Sequence, residues 1–249
     1  MKKILIATAA VTALSAAYAE ETNKYPGSSW GSIGNTSPSE EGNVLATVHV
    51  EQGVVLKKSN TLTMVPFVSA TVSKDSDGHD WNNKAILRAG IKLERALLGG
   101  SIALRLGVAH ENRFSSHETA SSPYISVGHW FGWGHGTRSP GSTWGQLGYG
   151  TSPGEKNNTA LMVHAEQGIY ATKVGSGKLV PFVDATIARD SEGYDWNNKN
   201  QLGAGVKYAL PVAKNGTLNV GVKYTHETKT SSDVSASNVG IFANYWLGW

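Results

Sequence analysis

The sequence predicts an all-β fold, an antiparallel up-and-down β-barrel of about twelve strands. Three observations carry that expectation. The hydrophobic period is two along most of the chain, the chain repeats itself once, and each repeat closes on an alternating strand that ends in Trp.

In the first repeat the strands fall near residues 30–37, 43–57, 62–74, 84–95, 101–113 and 123–133. The first is the Gly- and Ser-rich "WGSIGNTS" from Trp30. In the second, Val44, Ala46, Val48 and Val50 alternate with Leu45, Thr47, His49 and Glu51. In the third, Val68, Ala70 and Val72 oppose Ser69, Thr71 and Ser73. In the fourth, Ala85, Leu87, Ala89, Ile91 and Leu93 oppose Lys84, Arg88, Gly90, Lys92 and Glu94. In the fifth, Ile102, Leu104, Leu106 and Val108 oppose Ala103, Arg105, Gly107 and Ala109. Side chains alternate between the two faces of a strand, so each segment has one apolar and one polar face. No segment carries the 3.6-residue stripe of an amphipathic helix.

The second repeat copies the first. "PGSSWGSIG" from Pro26 returns as "PGSTWGQLG" from Pro140, and "VEQGV" as "AEQGI". "VPFVSATVSKDSDGHDWNNK" returns as "VPFVDATIARDSEGYDWNNK", and His110-Glu111 as His226-Glu227. The eight Trp pair off as Trp30/Trp144, Trp81/Trp196, Trp130/Trp246 and Trp133/Trp249. The organisation expected is a leader at 1–19, a first β repeat at 20–133 and a second at 134–249, with both repeats forming one barrel.

The leader is "MKKILIATAAVTALSAAYA", with two Lys, an apolar run and an Ala-x-Ala end, the pattern of a secretory signal. Removing Lys2 and Lys3 takes the formal charge from +3 to +1. With no polybasic run, nucleic acid is excluded as a partner. The chain has no Cys, so stability must come from packing and strand pairing. Past the leader no apolar run reaches the length of a membrane helix, which excludes helical spanning only.

Alternation alone fits either a soluble sandwich with the apolar face inward or a membrane barrel with it outward. Three features favour the barrel. Val239, Ile241, Ala243, Tyr245, Leu247 and Trp249 make one apolar face to the end of the sequence, a pattern that resembles the assembly signal of bacterial outer-membrane proteins, with Tyr245, Leu247 and Trp249 as its elements. The polar faces carry balanced charge, as a closed interior requires. With six strands per repeat, "SPSEEG", "DSDGHDWNN" and "SSHETASS" share one end, while "KSN", "LLGG" and the join between repeats share the other. The expected location is the bacterial outer membrane. The alternative is a pair of soluble carbohydrate-binding β-sandwich modules, periplasmic or secreted.

Pro26–Gly31, Glu51–Gly53 and Trp81–Lys84, with their second-repeat partners, resemble the C-terminal domain family of the bacteriophage N4 adsorption protein A, present here as two tandem copies. The resemblance implies an outer-membrane protein that takes part in displaying or exporting surface polysaccharide beside an envelope glycan-synthesis protein, and that phage use as a receptor. The family's long N-terminal helical-repeat region has no counterpart in this sequence. Partners implied are outer-membrane lipid, surface polysaccharide, glycan-synthesis proteins and phage. No cofactor is expected.

Four sets of residues are candidates for function. Asp75, Asp77 and Asp80, with Asp190, Glu192 and Asp195, are carboxylates clustered in loops, the ligand type calcium takes; a plain turn uses the same residues. Trp81, Asn82 and Asn83, with Trp196, Asn197 and Asn198, suit either glycan contact or, for the indoles, anchoring where hydrocarbon meets water. His49, Glu51, Arg88, Arg105, Glu111, His164, Glu166, Lys207, Lys223 and Glu227 share the polar face and are expected to form an interior network. A His–carboxylate pair also suits acid–base work, as in an outer-membrane lipid-modifying enzyme. Duplicated active sites inside one barrel fit poorly, so interior ion pairs and no enzymatic activity are expected. His110 and His226 fall on the opposite face, away from any zinc site with these residues.

Overall fold

The computed structural model describes residues 24–249 apart from Thr36, Glu41, His135, Gly136 and Lys156. The signal expected at 1–19 lies outside the described residues. Twelve long strands run β1 Gly27–Asn35, β2 Val44–Gly53, β3 Thr63–Asp75, β4 Lys84–Leu97, β5 Gly100–Arg113 and β6 Thr119–Trp133. They continue as β7 Gly141–Tyr149, β8 Thr159–Gly168, β9 Gly177–Asp190, β10 Lys199–Val212, β11 Gly216–Lys229 and β12 Val234–Gly248. Every strand pairs antiparallel with its neighbours in sequence, and β12 pairs with β1, so the sheet closes and leaves no long edge. No helix occurs among the described residues. Two short strands, Lys57–Lys58 and Thr172–Val174, extend β3 and β9 as small ribbons.

Register fixes which face is inside. Arg88 opposes Ser69 and Ala109, and Lys92 opposes Arg105, so this polar row turns inward. Leu87, Ile91, Leu106, Val108, Val127, Val183, Val206 and Val222 alternate with it and stand exposed on the outer wall. Val239 and Ile241 are 67% and 72% exposed there. A soluble protein does not cover itself with such a belt, whereas lipid solvates it. The soluble-sandwich alternative does not describe the fold, which is one closed sheet. The described lumen is a mixture, with Phe67, Ile86, Ala109 and Tyr124 forming a small apolar cluster among ion pairs.

The connections at 36–43, 76–83, 114–118, 150–158, 191–198 and 230–233 share one end, here the loop end. Those at 54–62, 98–99, 134–140, 169–176 and 213–215 share the terminal end. The expected parity therefore holds. Two details differ from expectation. The "KSN" turn is the tip of a longer excursion over 54–62, because β2 stops at Gly53 and the ribbon Lys57–Lys58 folds back on β3. The sixth strand starts at Thr119, not near 123, because Pro123 sits at an outward position opposite Val108 while pairing continues past it to Asn112↔Thr119.

Candidate functional site

The duplication gives the barrel a pseudo-two-fold axis along the lumen, and the paired Trp residues mark it. At the loop end, 76–83 and 191–198 arch over the mouth from opposite walls. Their indoles Trp81 and Trp196 stack with centroids 4.9 Å apart at 9°. His79 covers the other face of Trp81 at 4.6 Å, and Tyr194 the other face of Trp196 at 4.7 Å. The four rings form a continuous stack across the opening.

The Asp that precedes each arch holds it in place. Oδ1 of Asp75 accepts from the backbone of Gly78 (2.8 Å) and His79 (3.1 Å) and from Asn83 Nδ2 (2.5 Å). Its Oδ2 accepts from Asn82 (2.9 Å) and Asn43 (3.1 Å) and lies 2.9 Å from His79 Nδ1. Asp190 repeats this with Gly193, Tyr194, Asn198, Asn197 and Asn158. Asn83 and Asn198 return a side-chain carbonyl to the backbone N–H of their Asp. The glycines of these loops, Gly78 and Gly193, sit at φ of 79° and 74°, where a side chain would be strained.

One expectation for this segment is corrected. Trp81 and Trp196 are not membrane-surface anchors: they point over the mouth, away from the lipid-facing wall, and their faces are covered by other rings. The side-chain N–H groups of Asn82, Asn83, Asn197 and Asn198, the other candidates of this segment, are donated to Asp75 and Asp190. The acidic residues do not converge on a cation position either. Asp75 and Asp190 are ringed by donors, Asp80 binds Arg113 (3.3 Å) and Ser116, and Asp195 binds Ser232 and Lys229. Asp77 and Glu192 are exposed. No metal-binding group of carboxylates and histidines occurs among the described residues.

Below the arches, two further loops dip into the mouth and are anchored on buried carboxylates, both 1% exposed. Glu227 accepts from Ser37, Ser39 (3.1 Å) and Gln201 (2.7 Å), with Lys199 at 3.5 Å. Glu111 accepts from Arg113 (2.8 Å) and Ser152 (2.9 Å), with Lys84 at 3.8 Å. Deeper in the lumen, Glu51 pairs with Lys92 (2.8 Å) and Arg105 (3.4 Å), Glu166 with Lys207, and Asp184 with Lys223 (3.1 Å). Arg88 donates to Thr71 and to the Thr151 carbonyl. All ten residues expected in the interior network are there. Lys92 and Asp184, which belong to the balanced charge of the polar face, pair there as well, whereas sequence reasoning missed Lys84 and Lys199 as partners, although both share the parity of that face.

It also missed four tryptophans. Trp30 opposes His49 and Trp246, and Trp130 opposes Ser101 and Trp144, so all four face the lumen near the terminal end. Trp130 and Trp246 come from strands on opposite sides of the ring and stack on the axis, 6.5 Å apart at 9°. Trp30 lies on His49 and Trp144 on His164, each at 5.3 Å. The signal was present, since Trp130 shares the parity of Ser126 and Gly128 and not that of Ile125 and Val127. His49 and His164 each sit against a threonine hydroxyl, Thr71 at 2.8 Å and Thr186 at 2.9 Å. They pack as spacers between an indole and a hydroxyl. The last pair, Trp133 and Trp249, lies outside at the terminal rim. Each indole N–H donates 2.9 Å to a glutamine, Gln167 or Gln52.

The two halves diverge in the middle of the lumen. Where the first repeat has Arg88, Arg105 and Tyr124, the second has Gly203, Gly221 and Gly240. A cavity of about 270 Å³ opens there, lined by His164, Glu166, Phe182, Asp184, Lys223 and Phe242 among others.

A closed antiparallel barrel with an apolar outer belt and an ion-paired lumen is a transmembrane β-barrel, and its place is the bacterial outer membrane. No protein-family model matches the chain, and no curated protein matches it. Among solved structures it is similar to the beta domain of the Bordetella autotransporter BrkA (13% identity, 91% of this chain and 99% of that one, TM-score 0.47). It is also similar to an outer membrane channel from Pseudomonas putida F1 (8% identity, 91% and 95%, TM-score 0.47) and to the channel DcaP of Acinetobacter baumannii (10%, 91% and 96%, TM-score 0.37).

Proposed function

We propose that the protein is a non-enzymatic, non-conducting outer-membrane barrel that presents a rigid surface for polysaccharide display and for phage adsorption. The single observation that supports this most is the built lid at the loop end. Hydrogen-bond hubs on Asp75 and Asp190, an axial Trp stack and two buried glutamates hold four loops in one arrangement. Order of this kind suits a surface that must be recognised, and it suits a gate poorly. The sequence resemblance points the same way. The contact surface is then the outer rim of the lid, Asp77, Glu118, Glu192 and Asp233, and not the covered indoles.

The test compares phage adsorption and surface-polysaccharide retention in cells making the wild-type protein or the Asp77→Lys/Glu192→Lys variant. Loss of both with unchanged surface level supports the proposal. Retention of both in cells lacking the protein altogether would sink it.

The cavity in the second half favours a second reading, a chamber for a small solute between two aromatic stacks. Planar-bilayer recordings separate the two. Steady conductance steps from the wild-type barrel would favour the second.

A further inference from the structure

Charge is segregated between the two ends. The six loop-end connections contain Glu40, Glu41, Asp77, Asp80, Glu118, Glu155, Glu192, Asp195 and Asp233 against one lysine, Lys156. The five terminal-end connections contain Lys57, Lys58, Arg138, Lys173 and Lys214 and no Asp or Glu. Lys24 and Arg95 add to this rim. The lid acids Asp80, Glu155 and Asp195 have basic partners. None of the terminal-end cations forms an ion pair among the described residues, and all are exposed.

These cations are interleaved with exposed apolar side chains. Leu56 and Leu62 bracket Lys57 and Lys58 in sequence, Leu98 follows Arg95 by three residues, and Tyr170 and Val174 bracket Lys173, all five apolar side chains being exposed. A polar turn in open periplasm has no use for a fully exposed Leu98. Basic residues among apolar ones, at the edge of a lipid-facing wall, match an anionic membrane interface, where apolar groups enter the acyl boundary and ammonium groups reach phosphates. The two ribbons occupy equivalent places in the two repeats, so the feature occurs twice, on opposite sides of the barrel.

We propose that the terminal rim binds anionic phospholipid of the inner leaflet, with Lys57, Lys58 and Lys173 as the principal phosphate contacts. The acidic lid, with Asp80, Glu155 and Asp195 paired to basic side chains, faces outward. The asymmetry sets the depth and direction of the barrel in the bilayer. The inference is independent of what the lid recognises.

The experiment uses the full-length barrel in nanodiscs of phosphatidylcholine with and without phosphatidylglycerol. Native mass spectrometry reads the lipid that stays bound, and the heat-induced loss of the folded gel band reads stability. The wild type is expected to retain phosphatidylglycerol preferentially and to gain thermal resistance from it, both weakened by salt. The Lys57→Gln/Lys58→Gln/Lys173→Gln variant is expected to lose the preference by roughly a hundredfold at low salt, about fivefold per lysine. Lys74→Gln, at the loop end of the outer wall, is expected to keep it. Equal retention of the two lipids by the wild type, or a triple variant that behaves like the wild type, overturns the proposal.

Discussion

Asp75 shows how much one side chain can organise. Its two oxygens satisfy donors from the loops at 36–43 and 76–83, so removing them leaves several buried N–H groups without an acceptor. Each such orphan costs about 1–3 kcal/mol. Asp75→Ala is therefore expected to expose residues 76–83 to added protease in intact cells, while the barrel keeps its heat-modifiable gel shift. Cleavage no faster than in wild type would show that the stack alone holds the loop. Asp80 makes a pH-sensitive tie to the next loop. Partial burial opposes its ionisation, but the Ser116 hydroxyl and backbone N–H and the Arg113 guanidinium outweigh this and hold its pKa below the ordinary value. A depressed carboxylate pKa stabilises above the ordinary carboxylate range, and the benefit is lost as pH falls through the lowered value. Protection of the Ser116 amide, taken relative to its intrinsic exchange rate, should thus hold at neutral pH and be lost only as pH falls below the ordinary carboxylate range. Glu227, 1% exposed, poses the opposite risk: Glu227→Ala strands Lys199 in the lumen, with an expected loss of about 3–5 kcal/mol in urea unfolding. At this scale the sequence was only half legible. Parity placed Glu111 and Glu227 inside, but the partners that dip in from distant loops, Ser37 and Ser152, have no periodicity to betray them.

Elements repeat more faithfully than their interior. The junction of β6 with β7 and the seam of β12 with β1 use the same three parts. Trp133 lies on Gly141 and bonds Gln167; Trp249 lies on Gly27 and bonds Gln52. A Cβ at Gly27 would stand 2.2 Å from the Trp249 indole, and at Gly141 2.3 Å from that of Trp133. Gly27→Ala and Gly141→Ala should each cost about 1–3 kcal/mol by overpacking, seen as a lower temperature for loss of the folded gel band. If either variant matches wild type, the indole is free to move away. The "PG…WG…EQG" motif is thus a joint between strands. The strands themselves were readable because alternation is a local property. The positions of Trp30 and Trp130 were hidden because an aromatic on the polar face looks like an error until the opposite wall supplies its stacking partner.

Across the whole molecule, a ring of twelve strands is wider than polar side chains alone fill, and this chain closes it with aromatic pairs on the axis at both ends. Trp81→Ala and Trp196→Ala should each weaken, to the same extent, the far-ultraviolet exciton signal of stacked indoles in circular dichroism, with the part due to Trp130 and Trp246 remaining, and a double-mutant cycle should give about 0.5–1.5 kcal/mol of coupling. Additive effects would show that the two arches are held separately. Trp130→Ala/Trp246→Ala in a barrel lacking residues 76–83 and 191–198 should conduct in planar bilayers where wild type does not. The fold class, strand number and loop parity followed from the repeat and the period. The lids did not, because they depend on which residues meet across the ring and not along it. One last property follows from the two identical joints. Since the seam and the internal junction are built alike and lie at the same end, the chain has no privileged starting strand. Opening it between Trp133 and Gly134 and linking Trp249 to Lys24 should give a circularly permuted barrel of unchanged shape, with Trp133 as its new final residue.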